Sequence, residues 1–389
     1  MANILMINVP FHGHVNPTIA IVTELVNRGH KLTYLISEEF REQIEPTGAK
    51  IIVYNNYKKI GFPPMGMKLI MKGIYETALR IGKDYDCIIY EFMFFMGKQL
   101  GDYLNIPTIR LISMFAFNKN IIMPKLKNST KSSLQLKLIQ NKFVRTTLTL
   151  IFVGNGKVKN NDLLTEVLEN IPELNLVFTS RKFQIHSEEF DYRRYKFIGP
   201  SIIKRAQKNN IPFHKLKEKV IYISLGTLFN TSLNFFKICL KAFKDIDMSI
   251  IMSIGKTLNI KDLGTIPKNF LVYQVVPQLE VLKRSNIFIT HGGMNSVNEA
   301  IYYGVPLVTV PQSADQPTVA RRLEELGLGK IINKKAVSAQ TLMKAVNDVL
   351  CNPMYKENMK KMRNSMVDCG GYKRGVNEIE KYICQENIK

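Results

Sequence analysis

The segment richest in ligand-binding side chains is Ile289-Thr-His-Gly-Gly-Met-Asn-Ser-Val-Asn-Glu299. A buried strand there meets two glycines, which let backbone amides approach a ligand closely. We predict a helix from about Asn295 or Ser296, both good N-cap residues, whose free amides and positive dipole end form an anion site. His291 can donate to a diphosphate there, and Glu299 can accept from ribose hydroxyls. The alternative is a generic strand-to-helix turn.

A second motif, Pro311-Gln-Ser-Ala-Asp-Gln-Pro317, follows the next predicted strand. Asp315 offers acceptors, and the amide of Gln316 offers both donors and acceptors. This pair suits sugar hydroxyls, because each hydroxyl needs both kinds of partner. Alone, the motif could equally be a surface turn.

The third motif, Pro10-Phe-His-Gly-His-Val-Asn-Pro17, follows the first predicted strand. We expect His14 to lie just before a helix, where a neutral imidazole is favoured and can act as a base. A capping or loop histidine is the alternative. His12 and His14 could also chelate a metal, but the other histidines supply no convincing ligand pair, so we predict no metal site.

Strands and helices alternate twice along the chain, which predicts two Rossmann-like units with doubly wound parallel sheets. In the first unit a helix is expected to open at Pro17 and to end at Gly29. The polar stretch Lys204 to Lys219 is the expected linker. The predicted strands are Ile4–Val9, Lys31–Ser37, Ile51–Tyr54, Cys87–Tyr90, Thr108–Ile112, Val220–Leu225, Ser249–Ile254, Phe270–Val275, Ile287–Thr290 and Leu307–Val310.

Composition narrows the setting of the protein. Its 389 residues suffice for two ordinary domains. The five scattered cysteines lack a CxxC pair, which favours a reducing compartment. No signal peptide and no apolar run of membrane-spanning length is evident, so we expect a cytoplasmic protein.

The formal net charge of +22 is partly local, because seven basic residues lie between positions 119 and 145. A solvated helical face is one interpretation of that segment, and adsorption to an anionic membrane is another. Nucleic acid is not an expected partner, because the segment contains no recognisable binding motif.

Together, Val276-Pro-Gln-Leu-Glu-Val-Leu282, His291–Glu299, Gly304-Val-Pro306 and Asp315-Gln316 closely resemble the donor-binding signature of the UDP-glycosyltransferase superfamily. His14-Val-Asn-Pro17 is similar to the acceptor-side motif of its bacterial macrolide-glycosyltransferase-like branch. The resemblance runs from residue 4 to about residue 330. It implies the GT-B fold, with two Rossmann-like domains facing a central cleft.

The resemblance also implies roles for single residues. His14 matches the catalytic base, and Glu91 stands where the family usually orients that base with an aspartate. Val275 stands where an aromatic residue often stacks on uracil, which implies weaker stacking here. The nucleotide-binding positions are Ser224, Thr227, Val276, Gln278, His291, Gly293, Asn295, Ser296 and Glu299, and the sugar-binding positions are Asp315 and Gln316.

The expected domains are 1–205 for the acceptor and 206–374 for the nucleotide sugar, with the helix at about 375–389 packing back on the first. The expected reaction is inverting transfer of a hexose, with UDP-glucose as the expected donor, to an apolar flavonoid, phenol or macrolide. Phe11, Phe92 and Phe115 are candidate acceptor-pocket residues, with core packing as the alternative. No cofactor and no metal are expected.

Two other functions are open. A membrane-surface enzyme acting on a lipid acceptor would use the same site and the basic segment. A non-catalytic nucleotide-sugar sensor would bind the donor without releasing its diphosphate.

Overall fold

The structure, a computed structural model, describes residues 1–54, 64–121, 168–203, 211–226, 232–313 and 315–386, with only the backbone of 64–68. The chain divides into two compact units. The first contains Met1–Ser201 and Gly370–Lys389, and the second is the continuous segment Ile202–Cys369. Thr227 and all but the first residues of the basic 119–145 segment lie outside the described residues.

Short strands and longer helices alternate in both units. The strands are β1 (Asn3–Ile7), β2 (Lys31–Ile36), β3 (Lys50–Val53), β4 (Cys87–Glu91), β5 (Thr108–Ile112), β6 (Leu174–Val177), β7 (Tyr195–Phe197), β8 (Val220–Ser224), β9 (Ser249–Ser253), β10 (Phe270–Tyr273), β11 (Ile287–Thr290), β12 (Leu307–Thr309) and β13 (Gly329–Ile331). The α-helices are α1 (His12–Asn27), α2 (Arg41–Ile44), α3 (Pro64–Ile81), α4 (Gly97–Leu104), α5 (Leu233–Phe243), α6 (Gln278–Leu282), α7 (Met294–Tyr303), α8 (Gln316–Glu325), α9 (Ala339–Cys351), α10 (Pro353–Val367) and α11 (Gly371–Glu386).

Each unit is built on one parallel sheet. Among the described residues, the first sheet has seven strands in the order β3-β2-β1-β4-β5-β6-β7, and the second has six in the order β10-β9-β8-β11-β12-β13. In both sheets the order reverses beside the first strand of the unit, which is the topological switch point where ligands of doubly wound sheets bind. This confirms the predicted fold class.

The central strands are apolar because their residues are buried on both faces of the sheet, as in doubly wound parallel sheets. All five residues of β4 and of β8 are buried. Polar side chains at the carboxyl ends of these strands, such as Glu91 and Ser224, are therefore held on rigid backbone.

Helix α1 begins earlier than predicted. It starts at His12, and Pro17 lies inside it. A proline near the start of a helix removes only one intrahelical hydrogen bond, so the preceding residues can still form the first turn. His14 consequently lies within the first turn of the helix instead of before it.

The C-terminal helix α11 belongs to the first unit. Arg28 donates from Nη1 to Asn377 and to Glu380, at 2.7 Å in each case. The Nε2 of His30 lies 3.1 Å from the same Glu380 carboxylate. Val376 of α11 is fully buried.

Among the described helices, none combines the length and the hydropathy needed to cross a bilayer.

Candidate functional site

His14 and Glu91 form a hydrogen-bonded pair at the carboxyl edge of the first sheet. The Nδ1 of His14 lies 2.8 Å from Oε1 of Glu91, whose side chain is fully buried, whereas that of His14 is 17% exposed. Because a carboxylate only accepts, Nδ1 carries the proton and Nε2 holds the lone pair that can take up another. The histidine therefore has the tautomer that a general base requires.

Two further groups hold the Glu91 carboxylate. The hydroxyl of Ser113 donates to Oε1 at 2.8 Å, and the backbone amide of Met93 donates to Oε2 at 2.8 Å. The Oγ of Ser113 also lies 3.0 Å from Nδ1 of His14. Neither Ser113 nor Met93 was among the predicted site residues, because no sequence motif marks them.

The backbone of His14 is anchored as well. Asn8, at the end of the first strand, donates from Nδ2 to the carbonyl of His14 at 3.1 Å and to the hydroxyl of Tyr34 at 2.8 Å. Its Oδ1 accepts from the amide of Val9 at 2.8 Å. Asn8 and Tyr34 are both fully buried, so the first turn of α1 is fixed from inside the unit.

The three candidate acceptor-pocket aromatics have different surroundings. Phe11 is half-buried, and its ring centroid lies 6.0 Å from that of His14. Phe92 is half-buried beneath the guanidinium of Arg110, 5.7 Å from its ring centroid. Phe115 is only 1% exposed and packs against Phe183, so it presents no surface to a ligand. For Phe115 the core-packing alternative applies.

In the second unit, the ring of His291 is enclosed by two glycines. A Cβ built on Gly226 would lie 2.6 Å from Cε1 of His291, and one built on Gly293 would lie 2.5 Å from Nε2. Gly226 also has φ +79°, a left-handed conformation that side chains disfavour. Both glycines are therefore needed for the position of this imidazole.

Burial lowers the pKa of His291 from its ordinary 6.5 to about 4. The imidazole is therefore neutral at neutral pH. The Oγ1 of Thr290 accepts from the amide of Gly292 at 3.5 Å and lies 3.3 Å from Nδ1 of His291. A hydroxyl at this position can donate to Nδ1, and in that arrangement Nε2 carries the imidazole proton and is the donor.

Helix α7 starts immediately after the Gly292-Gly293 pair. Its N-cap is Gly293, so the helix begins at Met294 and the prediction of Asn295 or Ser296 as N-cap is wrong. The second glycine adopts the extended φ and ψ of an N-cap, which lets the helix start earlier. The backbone amides of Asn295 and Ser296 thereby fall in the first turn, at the positive end of the helix dipole.

Gln278 joins two predicted nucleotide-binding residues, Glu299 and Ser296, into one network. Its Nε2 donates to Glu299 Oε2 at 2.6 Å and to Ser296 Oγ at 3.2 Å. Its Oε1 accepts from the hydroxyl of Tyr222 at 3.0 Å. Tyr222 is buried and stacks on Phe288, with ring centroids 4.4 Å apart. Tyr222 fixes which end of the Gln278 amide faces Glu299, a role that the sequence did not reveal.

The remaining nucleotide-binding candidates lie at the same edge of the second sheet. Ser224 ends β8, is buried, and accepts from the amide of Gly226 at 3.3 Å. Val276 is buried, whereas the preceding Val275 is 54% exposed. Val275 therefore offers a small apolar surface where the family often has an aromatic ring.

Asp315 and Gln316, the sugar-binding candidates, begin helix α8. Asp315 is its half-buried N-cap, and Gln316 is buried. The Oε1 of Gln316 accepts from the backbone amides of Gln312 and Ser313 at 2.8 and 3.2 Å. These contacts fix the loop after β12 and orient the Gln316 amide.

The two histidines considered as metal ligands have separate partners. His14 contacts Glu91, whereas the ring of His12 lies 4.8 Å from that of Phe40. In the described part of the chain, only His186, Glu188 and Glu189 cluster as a metal-ligating group would, and all three are exposed.

Comparisons with known proteins agree with this geometry. A family model described as UDP-glucoronosyl and UDP-glucosyl transferase matches residues 213–368. YdhE of Bacillus subtilis (strain 168), described as an uncharacterized UDP-glucosyltransferase, is 36% identical over 402 residues, which span 100% of each chain. The NDP-glycosyltransferase YjiC of the same organism is 35% identical over 401 residues, covering 98% of this chain and 97% of its own.

Solved structures agree as well. The crystal structure of the glycotransferase of kitacinnamycin has a TM-score of 0.82 and 26% identity, with 98% of each chain covered. The chain is thus similar over its full length to curated glycosyltransferases. Its second unit has His291 at the N-terminus of α7, and its first unit has the His14–Glu91 pair. The chain belongs to the UDP-glucuronosyl and UDP-glucosyl transferase family and is a glycosyltransferase of the GT-B fold.

Proposed function

We propose that this protein is an inverting glycosyltransferase that moves a hexose, with UDP-glucose as its preferred donor, to a hydroxyl of an apolar small molecule. The observation that carries the proposal is the 2.8 Å contact between His14 and the buried Glu91 carboxylate. A buried carboxylate stabilises an imidazolium strongly, because little water screens the two charges. His14 is therefore equipped to remove the proton of an acceptor hydroxyl.

The reaction is a single displacement. Nε2 of His14 takes the proton of the acceptor hydroxyl as the acceptor oxygen attacks the anomeric carbon. The bond between that carbon and the diphosphate oxygen breaks with inversion, and the nucleoside diphosphate leaves with the electron pair. Glu91 stabilises the imidazolium through Nδ1–H, in the way a triad carboxylate supports its histidine.

On the donor side, the leaving diphosphate gains negative charge during this step. In the proposal, Nε2–H of His291 and the first-turn amides of α7 donate to it, so the charge is stabilised by groups already in place. Glu299, held by Gln278, accepts from the ribose hydroxyls. Because His291 and these amides would stabilise the charge of the diphosphate without a metal ion, we propose that the reaction is metal-independent.

The sugar is assigned to the start of α8. The carboxylate of Asp315 accepts from sugar hydroxyls, while Gln316 donates from Nε2, since its Oε1 already accepts two loop amides. UDP-glucose is favoured as donor because YdhE is described as a UDP-glucosyltransferase. An apolar acceptor is favoured by the half-buried rings of Phe11, beside His14, and Phe92.

The test is a matrix of donors and acceptors read by mass spectrometry. UDP-glucose, UDP-N-acetylglucosamine and dTDP-glucose are each combined with a flavonoid, a simple phenol and a macrolide. The proposal predicts a glucosylated flavonoid, phenol or macrolide with UDP-glucose as the best donor, and loss of product in His14→Ala. Binding of UDP-glucose without release of UDP to any acceptor or to water would instead show a sensor.

A further inference from the structure

We propose that Ser113 is a positioning residue of the His14–Glu91 pair, required because this chain has glutamate where the family usually has aspartate. The inference rests on the proposed role of His14 as the base. It assigns to Ser113 no contact with either substrate. Its action is on the orientation of the Glu91 carboxylate and of the His14 ring.

The three side chains form a closed triangle of contacts. His14 Nδ1 to Glu91 Oε1 measures 2.8 Å, Ser113 Oγ to the same Oε1 measures 2.8 Å, and Ser113 Oγ to Nδ1 measures 3.0 Å. Because Ser113 donates its proton to Glu91, its lone pairs face the Nδ1–H of His14. The imidazole proton is thus shared between a carboxylate oxygen and a hydroxyl oxygen.

The sheet brings Ser113 to this place. Glu91 pairs with Leu111 of the neighbouring parallel strand β5, and Ser113 follows two residues later. Residues two apart along a strand face the same side of the sheet, so Ser113 projects towards the side that carries Glu91. Ser113 is itself buried, at 4% exposure, and the hydroxyl is held where it lies.

A glutamate needs this support more than an aspartate does. Its carboxylate stands one rotatable bond further from the backbone, so more orientations must be excluded to keep one oxygen on Nδ1. The Met93 amide donates to Oε2, and the Ser113 hydroxyl donates to Oε1. With both oxygens bound, rotation of the carboxylate about its last bond is prevented.

The expected effect falls on turnover. Hydrogen bonds to charged groups typically contribute enough that Ser113→Ala should lower kcat by about 10- to 100-fold. The KM for UDP-glucose and the affinity for UDP should stay as in the wild type, because the donor groups lie on other elements. Ser113→Thr keeps the hydroxyl and should recover most of the lost turnover.

Ser37→Ala is the matched control. Ser37 is also buried beyond the end of a strand, and its hydroxyl also donates to a glutamate, Glu39 Oε1 at 3.3 Å, but without contact to the His14–Glu91 pair. Its removal should leave kcat unchanged. Assays use UDP-glucose and the acceptor of the test matrix with the highest turnover.

A double variant separates positioning from a merely structural role. In a Glu91→Gln background, Ser113→Ala should cause little further loss, because the charged carboxylate that the hydroxyl orients is gone. An equal loss in both backgrounds, or a fully active Ser113→Ala, overturns the inference. If instead His14→Ala and Glu91→Gln are themselves fully active, the proposed base is wrong, which is a different failure.

Discussion

The lowered pKa of His291 makes a quantitative prediction about stability at acid pH. The folded protein protonates this imidazole only near pH 4, whereas the unfolded chain does so near its ordinary 6.5. As the pH falls between those values, only the unfolded chain takes up the proton. The free energy of unfolding therefore decreases over this range and stops decreasing, for this residue, below about pH 4.

The size of the decrease follows from the two pKa values. Each pKa unit of difference between the folded and unfolded states corresponds to about 1.36 kcal/mol. Between about pH 7.5 and about pH 4.5, a window that covers most of this difference, proton uptake by the unfolded chain lowers the free energy of unfolding by about 2.5 kcal/mol. His291→Asn removes the titrating group and keeps a polar side chain between the two glycines. In this variant the acid-induced loss should be smaller than in the wild type by about that amount.

The assay is urea unfolding at both pH values, followed by far-UV circular dichroism because the chain contains no tryptophan. His214→Asn is the control, since His214 is exposed and lies in the same unit. It should retain the wild-type dependence on pH. If His291→Asn loses as much stability as the wild type on acidification, the imidazole is not held neutral by burial and the reasoning is refuted.

The other predictions concern turnover and binding. His14→Ala should lower kcat by about 10²–10⁴-fold, the usual contribution of a general base, with UDP affinity unchanged by calorimetry; an unchanged kcat contradicts the assignment. Glu91→Gln should reduce kcat far more than Glu91→Asp, because the charge stabilises the imidazolium; equal kcat values would count against the pair. His291→Ala should weaken UDP binding by about 10- to 100-fold and uridine binding hardly at all, and calorimetric titration with both ligands measures the difference. Activity should survive a chelator; activity lost to chelation and restored by magnesium or manganese would contradict the proposed stabilisation of the leaving group.

Much of the fold could be predicted because its strands are apolar runs. The predicted strand at Thr108–Ile112 matches β5, and that at Ile287–Thr290 matches β11. The strands β6, β7 and β13 were not predicted. Each is short, and a polar residue interrupts its apolar run: Asn175 in β6, Lys196 in β7 and Lys330 in β13.

The site was predictable where motifs are continuous in sequence. The pairing of His14 with Glu91 was expected from the family resemblance, although the residues are 77 positions apart. Ser113 and Tyr222 were missed because they act only through contacts that the folded sheets create. The start of α7 was misplaced because Asn295 and Ser296 are better N-cap residues than Gly293, and the strand-to-helix geometry decided otherwise.

The position of α11 has a consequence for synthesis on the ribosome. The second unit is continuous, so all of its residues emerge before the last helix of the first unit. The apolar surface of the first unit is covered only after α11 has been synthesised, because Val376, Ile379 and Ile383 of this helix are buried there. Domains generally fold as units during translation. The second unit can therefore complete its core while the first unit still exposes the surface that α11 will bury, which makes the incomplete first unit the aggregation-prone species of the nascent chain.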